Sequence, residues 1–356
     1  MKLFYKLLEN FLLTLFLNIY MLKLIKKKKL VRINLSICMN GCEKMKEQEV
    51  ILKNVNSFEP KHIFECGQCF RWDKNIDDSY TGVVNKSVLN VKKIGNDIVI
   101  NGISNESLED IVNKYFDLNR DYQKIKELLK NVDKDVKKSI TYGEGIRILN
   151  QDLWETTISF IISANNNIPR IKGIIKKICQ KYGDKIIWNN EEYYSFPTPK
   201  QLSKASVQDL RTLGLGFRDK RVFETTQIFV SNQVDLSKLM CKKTEEAREI
   251  LLTLPGVGPK VADCILLFSE LKRLEVFPVD VWVRRVMNEL YVKNPKEEKV
   301  SKAEIEKIAT EKYGSLAGLA QQYLFYWKRE EKNRKTRIVG RNNLKSLERN
   351  ILFTKK

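Results

Sequence analysis

The sequence predicts an α+β chain, in which an N-terminal antiparallel β-sheet domain with helices precedes an all-helical region of about 190 residues. Two observations lead there. Between residues 68 and 100, short β-prone runs alternate with turn-forming residues; beyond Tyr142 the apolar residues recur at i, i+3 and i+4, the period of an amphipathic helix. A third is compositional: 43% of the 356 residues are hydrophobic and 30% charged, which is enough apolar material for a packed core and excludes wholesale disorder.

Taken in order, residues 1–44 form an extension set apart from the fold. Phe11–Leu22 is apolar and is followed by four lysines, Lys26 to Lys29. The run is about a dozen residues long where a membrane span needs about 20, so attachment through residues 11–29 is not expected. It lacks a small-residue cleavage site, and the extension is read as a mis-assigned upstream start with Met45 the true one. In the α+β domain, residues 45–138, the strand candidates are Gln68–Trp72, Tyr80–Val84, Val88–Val91 and Ile98–Ile100. Asn85-Lys86 and Gly95-Asn96-Asp97 supply turns between them. Helical patterns follow at roughly 106–116 and 120–131. The second region, residues 139–331, carries seven more: Asp152–Ser163, Pro169–Tyr182, Thr244–Leu254, Lys260–Ser269, Val281–Tyr291, Ala303–Tyr313 and Gly318–Arg329. Residues 332–356 are a basic tail.

The net charge is +20, with +7 in residues 1–32, +8 in residues 328–356 and +5 in all the rest. A basic chain points to a polyanion, nucleic acid or an anionic membrane face, but with the excess at the ends the motifs must decide. One histidine, His62, argues against a Ser-His-Asp triad and against zinc sites built on several histidines. Seven cysteines are too few for a disulfide scaffold and suggest free thiols in a reducing compartment. Cys66-Gly67-Gln68-Cys69 is a C-x-x-C whose only companion, Cys38 with Cys42, has looser spacing and lies in the extension; a metal site there is not favoured.

The most informative segment is Leu254-Pro255-Gly256-Val257-Gly258-Pro259-Lys260. A helix ends, a glycine-rich turn follows and a new helix starts at a first-turn proline. Such a turn exposes amides at a helix N-terminus and suits phosphate, although alone it reads equally well as a tight helix–helix connection. The spacing is not that of a Walker loop. Twenty residues on, Val279-Asp280-Val281 places a carboxylate among apolar neighbours at a helix start, which alone could be a simple N-cap.

Hairpin, lysine and aspartate together resemble the helix–hairpin–helix signature of base-excision DNA glycosylases. Lys260 stands at the nucleophile position of the lysine-bearing members, and no cysteine follows Cys264, so the iron–sulfur loop of some branches is absent. The remaining segments resemble the 8-oxoguanine DNA glycosylase family: Gly67-Gln68-Cys69-Phe70-Arg71-Trp72, Asn165-Asn166-Asn167-Ile168-Pro169-Arg170, Leu213-Gly214-Leu215-Gly216-Phe217-Arg218 and Ala320-Gln321-Gln322-Tyr323-Leu324-Phe325, in family order from about residue 64 to 327.

The resemblance implies a bifunctional glycosylase/lyase. Its substrate would be double-stranded DNA containing oxidised guanine opposite cytosine, taken up by base flipping. Lys260 would attack C1′ to form a Schiff base and Asp280 would stabilise developing positive charge, with β-elimination nicking the strand. The lesion would lie between Cys264 and Phe325, with Gln321 on its Watson–Crick edge. The Gly67 carbonyl would accept the N7–H that 8-oxoguanine has and guanine lacks. Phe217 would be the wedge, Asn165 would fill the vacated space, Arg170 and Arg218 would hold the widowed cytosine, and Gly256, Val257 and Gly258 would meet phosphate. Taken singly, Phe217 also reads as a core residue and the arginines as phosphate or solvent contacts. Trp282 departs from a family histidine near the phosphates, and Ala164 from a serine. No cofactor is required; a cation at the hairpin carbonyls would be structural, and no iron–sulfur cluster is expected. A cytoplasmic monomer with no obligate protein partner is expected. The alternatives are a non-catalytic hairpin DNA-binding protein and a glycosylase of other lesion preference.

Overall fold

Strands β1 (Lys46–Leu52), β2 (Trp72–Lys74), β3 (Tyr80–Val84), β4 (Ser87–Ile94) and β5 (Asp97–Ser104) form one antiparallel sheet in the order β1-β5-β4-β3-β2. A computed structural model describes residues 45–334, so the 11–29 stretch and the tail from 335 lie outside the described residues. The turns fall where the sequence puts them: Asn85 and Gly95 both take positive φ, 53° and 60°, in two-residue connections. The expected run Gln68–Trp72 becomes strand only at its last residue. Val50, Leu52 and the β3–β5 residues that alternate inward meet Phe64, Trp72 and the helix Leu108–Tyr115 in one core. The indole of Trp72 donates to the Tyr115 hydroxyl at 2.9 Å.

A second, larger core takes in Cys66 and Phe70 and runs from Tyr122 through the helical region to Trp327. The expected helices appear at Leu153–Ser163, Ile168–Tyr182, Thr244–Leu252, Pro259–Phe268, Val281–Met287, Lys302–Tyr313 and 317–334. The structure also departs from expectation in this half of the chain. A two-stranded hairpin, β6 (Lys185–Trp188) with β7 (Glu191–Tyr194), interrupts the helices; its turn is Asn189-Asn190, both at positive φ, the residue type that tight hairpins favour. Helices Lys134–Tyr142 and Asp219–Val230 bury apolar faces that the sequence reading passed over. The helix begun at Val281 leaves α geometry after Met287 and widens into a π turn to Val292, where the Asn288 and Asn294 amides tie the chain down.

Buried amides join the sheet side to the helices. The Gln68 side chain is fully buried; its Nε2 donates to the Ile63 and Arg147 carbonyls at 2.9 and 2.8 Å, and its Oε1 accepts from the Leu149 amide at 2.9 Å. Gln151 donates to the Gln68 carbonyl at 2.7 Å and to that of Phe268, at the end of the Pro259 helix, at 2.9 Å. Lys272 reaches across the same seam to the Ile148 carbonyl and lies 3.5 Å from Asp117.

Two predictions follow from this seam. Gln68→Leu leaves the Arg147 carbonyl and Leu149 amide without partners in the core; urea denaturation is expected to show a loss of roughly 2–4 kcal/mol, since each unmet buried group costs about 1–3. Burial holds the Lys272 ammonium down to about 7 in the folded chain, against an ordinary 10.5. Between those values the unfolded chain binds the extra proton, so this group makes stability rise with pH over that window. Lys272→Met is therefore expected to raise stability at pH 7, with the gain fading towards pH 10.

Candidate active site

Three clusters come together. The first sits at the start of the helix Pro259–Phe268, capped by Gly258 with Pro259 at its first position. Lys260 follows, half-buried, with its Nζ 5.5 Å from the centre of the Phe160 ring. One turn later on the same face lies the buried Cys264, whose sulfur acts electrostatically on Lys260. Asp280 caps the helix Val281–Met287, its Oδ1 accepting from the Val283 amide at 2.7 Å, and its charge acts on Lys260. The Cys264 sulfur, where ionised, and the Asp280 carboxylate raise the Lys260 ammonium above the ordinary lysine value, against the pull of burial. Burial pushes the Cys264 thiol up to about 11, so near neutral pH it is a thiol and Asp280 is the anion beside the lysine.

The second cluster is built on the loop 65–69 and the last helix. Gln322 is buried and donates to the Cys66 carbonyl at 2.7 Å, while Gln151 holds the Gln68 carbonyl. Between these two pinned carbonyls lies Gly67, at φ 91°, a conformation that side chains rarely adopt. Among the described residues no hydrogen bond ends on the Gly67 carbonyl. The edge of Phe325 lies 3.6 Å from where a Gly67 β-carbon would stand. Gln321, one helical turn before Phe325, is buried with its Oε1 unpartnered. Cys66 and Cys69 are buried free thiols that donate to the Ile63 and Phe64 carbonyls, as core residues do. Aromatic contacts bridge the two clusters: Phe70 meets Phe160 at 5.5 Å, and Phe160 stacks on Phe268 at 5.6 Å.

These two clusters set a lysine beside a carboxylate and, across an aromatic bridge, a loop with an unclaimed carbonyl. Comparisons with known proteins give the family. The family model for the 8-oxoguanine DNA glycosylase N-terminal domain matches residues 50–157, and that of the HhH-GPD superfamily base excision DNA repair proteins matches residues 158–311. The N-glycosylase/DNA lyase of Saccharomyces cerevisiae is 33% identical over 312 residues, 74% of this chain and 81% of that one. The probable N-glycosylase/DNA lyase of Methanothermobacter thermautotrophicus is 33% identical over 243 residues, 63% of this chain and 75% of that one. The 8-oxoguanine glycosylase/lyase of Clostridium acetobutylicum, solved with double-stranded DNA containing cytosine opposite 8-oxoG, superposes with a TM-score of 0.76 at 44% identity, covering 81% of this chain and 98% of that one. The chain belongs to the 8-oxoguanine DNA glycosylase/lyase family.

The third cluster gathers the family's DNA-side positions. Phe217, in the 3-10 turn Gly216–Arg218, is 55% exposed, so it is not the core phenylalanine that its glycine turn also allowed. The guanidinium groups of Arg218 and Arg221 lie 4.1 and 5.3 Å from its ring centre. Asn165 is exposed at φ 50°. Arg170 is exposed and donates to the Gly214 carbonyl at 3.3 Å. Arg218 is placed differently from Arg170. It is buried, and it donates to the Ala164 and Asn165 carbonyls at 2.7 Å each, bracing the turn that displays Asn165. In the hairpin, Gly256 sits at φ 86° against Arg221 and Ile161, Val257 is buried with its amide bonded to the Leu254 carbonyl, and Gly258 is exposed.

The sequence reading missed the residues that hold the site rather than form it. Gln151 carries no motif. Gln322 is masked by its neighbour Gln321, although consecutive helical residues must face about 100° apart and so cannot share one task. Asp263, fully buried behind Cys264, is held by Arg248 at 2.9 Å and Lys302 at 2.8 Å. Gly67→Ala tests the loop: a β-carbon there meets Phe325 only at ordinary contact distance, so the cost is backbone strain, about 1–3 kcal/mol. Base release is expected to fall while nicking at preformed abasic sites persists, as single-turnover assays on both duplexes would show.

Proposed function

We propose that this chain releases 8-oxoguanine paired with cytosine from double-stranded DNA through a Schiff base on Lys260, then nicks the strand by β-elimination. The observation that carries this reading is Lys260, beside Asp280 and Cys264, on a helix that Phe160 and Gln151 link to the Gly67 loop, where Phe325 lies close and Gln321 Oε1 is unpartnered. In the free protein Lys260 is held protonated, so it must lose its proton as substrate engages. The neutral amine attacks C1′, and the damaged base leaves with the electron pair of the glycosidic bond. Asp280, fixed by its cap, stabilises the positive charge that develops on the sugar. Breaking of the C1′–O4′ bond, with O4′ taking the proton that the lysine nitrogen releases, opens the sugar and gives the Schiff base; its protonated form, the iminium, acidifies C2′, and loss of that proton expels the 3′ phosphate and breaks the strand.

Specificity follows from donor and acceptor counting. The N7–H of 8-oxoguanine gives the unclaimed Gly67 carbonyl a partner; guanine presents a lone pair there instead, and an unmatched buried polar pair costs about 1–3 kcal/mol. Phe325 and Cys264 sandwich the base, and the unpartnered Gln321 Oε1 takes donors from its Watson–Crick edge. Phe217 enters the stack, Asn165 fills the gap, and Arg170 with Arg218 holds the cytosine once Arg218 releases the 164–165 carbonyls. Gly256, Val257 and Gly258 lie against the phosphates. The scheme runs on side chains alone, with no iron–sulfur cluster. Among the described residues no group of His, Cys, Asp and Glu is arranged to hold a metal, so a cation at the hairpin would rest on backbone carbonyls in a structural role. The chain acts as a monomer. Among the described residues no helix is long and apolar enough to cross a membrane.

Borohydride is expected to trap the wild-type chain on an 8-oxoguanine duplex, and Lys260→Gln to abolish trapping; a wild type that binds but never traps would favour the non-catalytic reading. Asp280→Asn is expected to slow base release about 10²–10⁴-fold. It also removes the anion that supports the ammonium, so the lysine pKa falls. On preformed abasic sites, the alkaline rise of trapping with pH should therefore move to lower pH in Asp280→Asn.

A further inference from the structure

Gln321, Phe325 and Arg329 follow one another at four-residue intervals and so lie along one face of the last helix, each about 6 Å from the next. Among the described residues seven buried side-chain polar atoms lack a partner, and two of them flank Phe325: Gln321 Oε1, an acceptor, and Arg329 Nη1, a donor. The Arg329 fork is half used. Its Nη2 donates to the Glu65 carbonyl, while Nη1 lies 3.6 Å from the β-carbon position of Gly67, as close as the edge of Phe325. The guanidinium carbon is 5.4 Å from the Phe325 ring centre. A stacking ring thus has an unmet acceptor one turn to one side and an unmet donor one turn to the other.

A purine lying on Phe325 has complementary edges. Its Watson–Crick edge donates through N1–H and the 2-amino group, matching Gln321. On the opposite edge of 8-oxoguanine the N7–H meets Gly67, and the adjacent atom, O8, is an acceptor. Guanine carries C8–H there and leaves Nη1 unmet. We infer that Arg329 is a lesion-reading residue that donates from Nη1 to O8, so that the recess reads two adjacent atoms of the damage instead of one. This rests on the 8-oxoguanine reading of the site above.

The test compares single-turnover release of 8-oxoguanine and 8-thioguanine opposite cytosine. The thio base keeps N7–H and the Watson–Crick edge but replaces O8 by sulfur, a weak acceptor. The wild type is expected to favour the oxo base by about tenfold or more, the worth of a hydrogen bond from a charged donor. Arg329→Met, whose stem still packs on Phe325, is expected to erase most of that ratio while nicking preformed abasic sites within about twofold of wild type. Arg329→Lys serves where the methionine variant does not fold; one ammonium cannot hold the Glu65 carbonyl and O8 together, so it should also narrow the ratio. Equal slowing on both bases, or an unchanged ratio in both variants, would overturn the inference and leave Arg329 as a brace. A wild type that releases no 8-oxoguanine would instead overturn the proposed function, and this inference with it.

Discussion

The site depends on one backbone constraint, the fixing of a five-residue loop by buried glutamine amides. Gln322 takes the Cys66 carbonyl and Gln151 the Gln68 carbonyl, each at 2.7 Å, while the Gln68 side chain is spent on Ile63, Arg147 and Leu149. With both neighbours claimed, the left-handed Gly67 is the point at which the loop can present an acceptor. An acceptor that discriminates N7–H from a lone pair must not move, because a mobile carbonyl would turn away from guanine at little cost. Rigidity here comes from hydrogen bonds to buried carbonyls, which are costly to break and leave unmet.

The same economy governs the catalytic pair. Asp280 was readable either as an N-cap or as a catalytic carboxylate; the structure shows the cap, and the proposed chemistry uses the same carboxylate. Capping consumes Oδ1 on the Val283 amide and so fixes the direction of the carboxylate beside Lys260. A carboxylate on a free rotamer could pair with the ammonium and neutralise it. One anchored to a helix start stays placed for the charge that appears later on the sugar.

Most of the fold was legible because periodicity reports burial directly. The two-residue turns at Asn85 and Gly95 and the seven expected helices are local facts, and local physics placed them. Strand β1 was missed because Lys46–Leu52 has charged residues on its open face and earns its place through pairing with β5, a long-range contact. The β6–β7 hairpin had its signal in Asn189-Asn190, but the runs beside it are only four residues each. For the site, the motif residues were legible and their supports were not. Gln151, Gln322 and Asp263 act on partners that lie 83, 256 and 39 residues away, and no pattern along the chain encodes such distances.

On the proposed reading chemistry and recognition reside on different elements, Lys260 at a hairpin and Gly67 in the loop before β2, and they work only if held in register. Reaction geometry tolerates displacements of well under 1 Å before rate is lost. Two links supply that register. Phe160 touches Phe70 of the recognition segment and Phe268 of the lysine's helix, with Lys260 over its ring. Gln151 bonds the Gln68 carbonyl and the Phe268 carbonyl with one amide nitrogen, tying the loop to the far end of the same helix. One link is packing and the other is directional, so neither sliding nor rotation of the lysine helix is free. On the proposed reading, this seam is what sets recognition and chemistry in register.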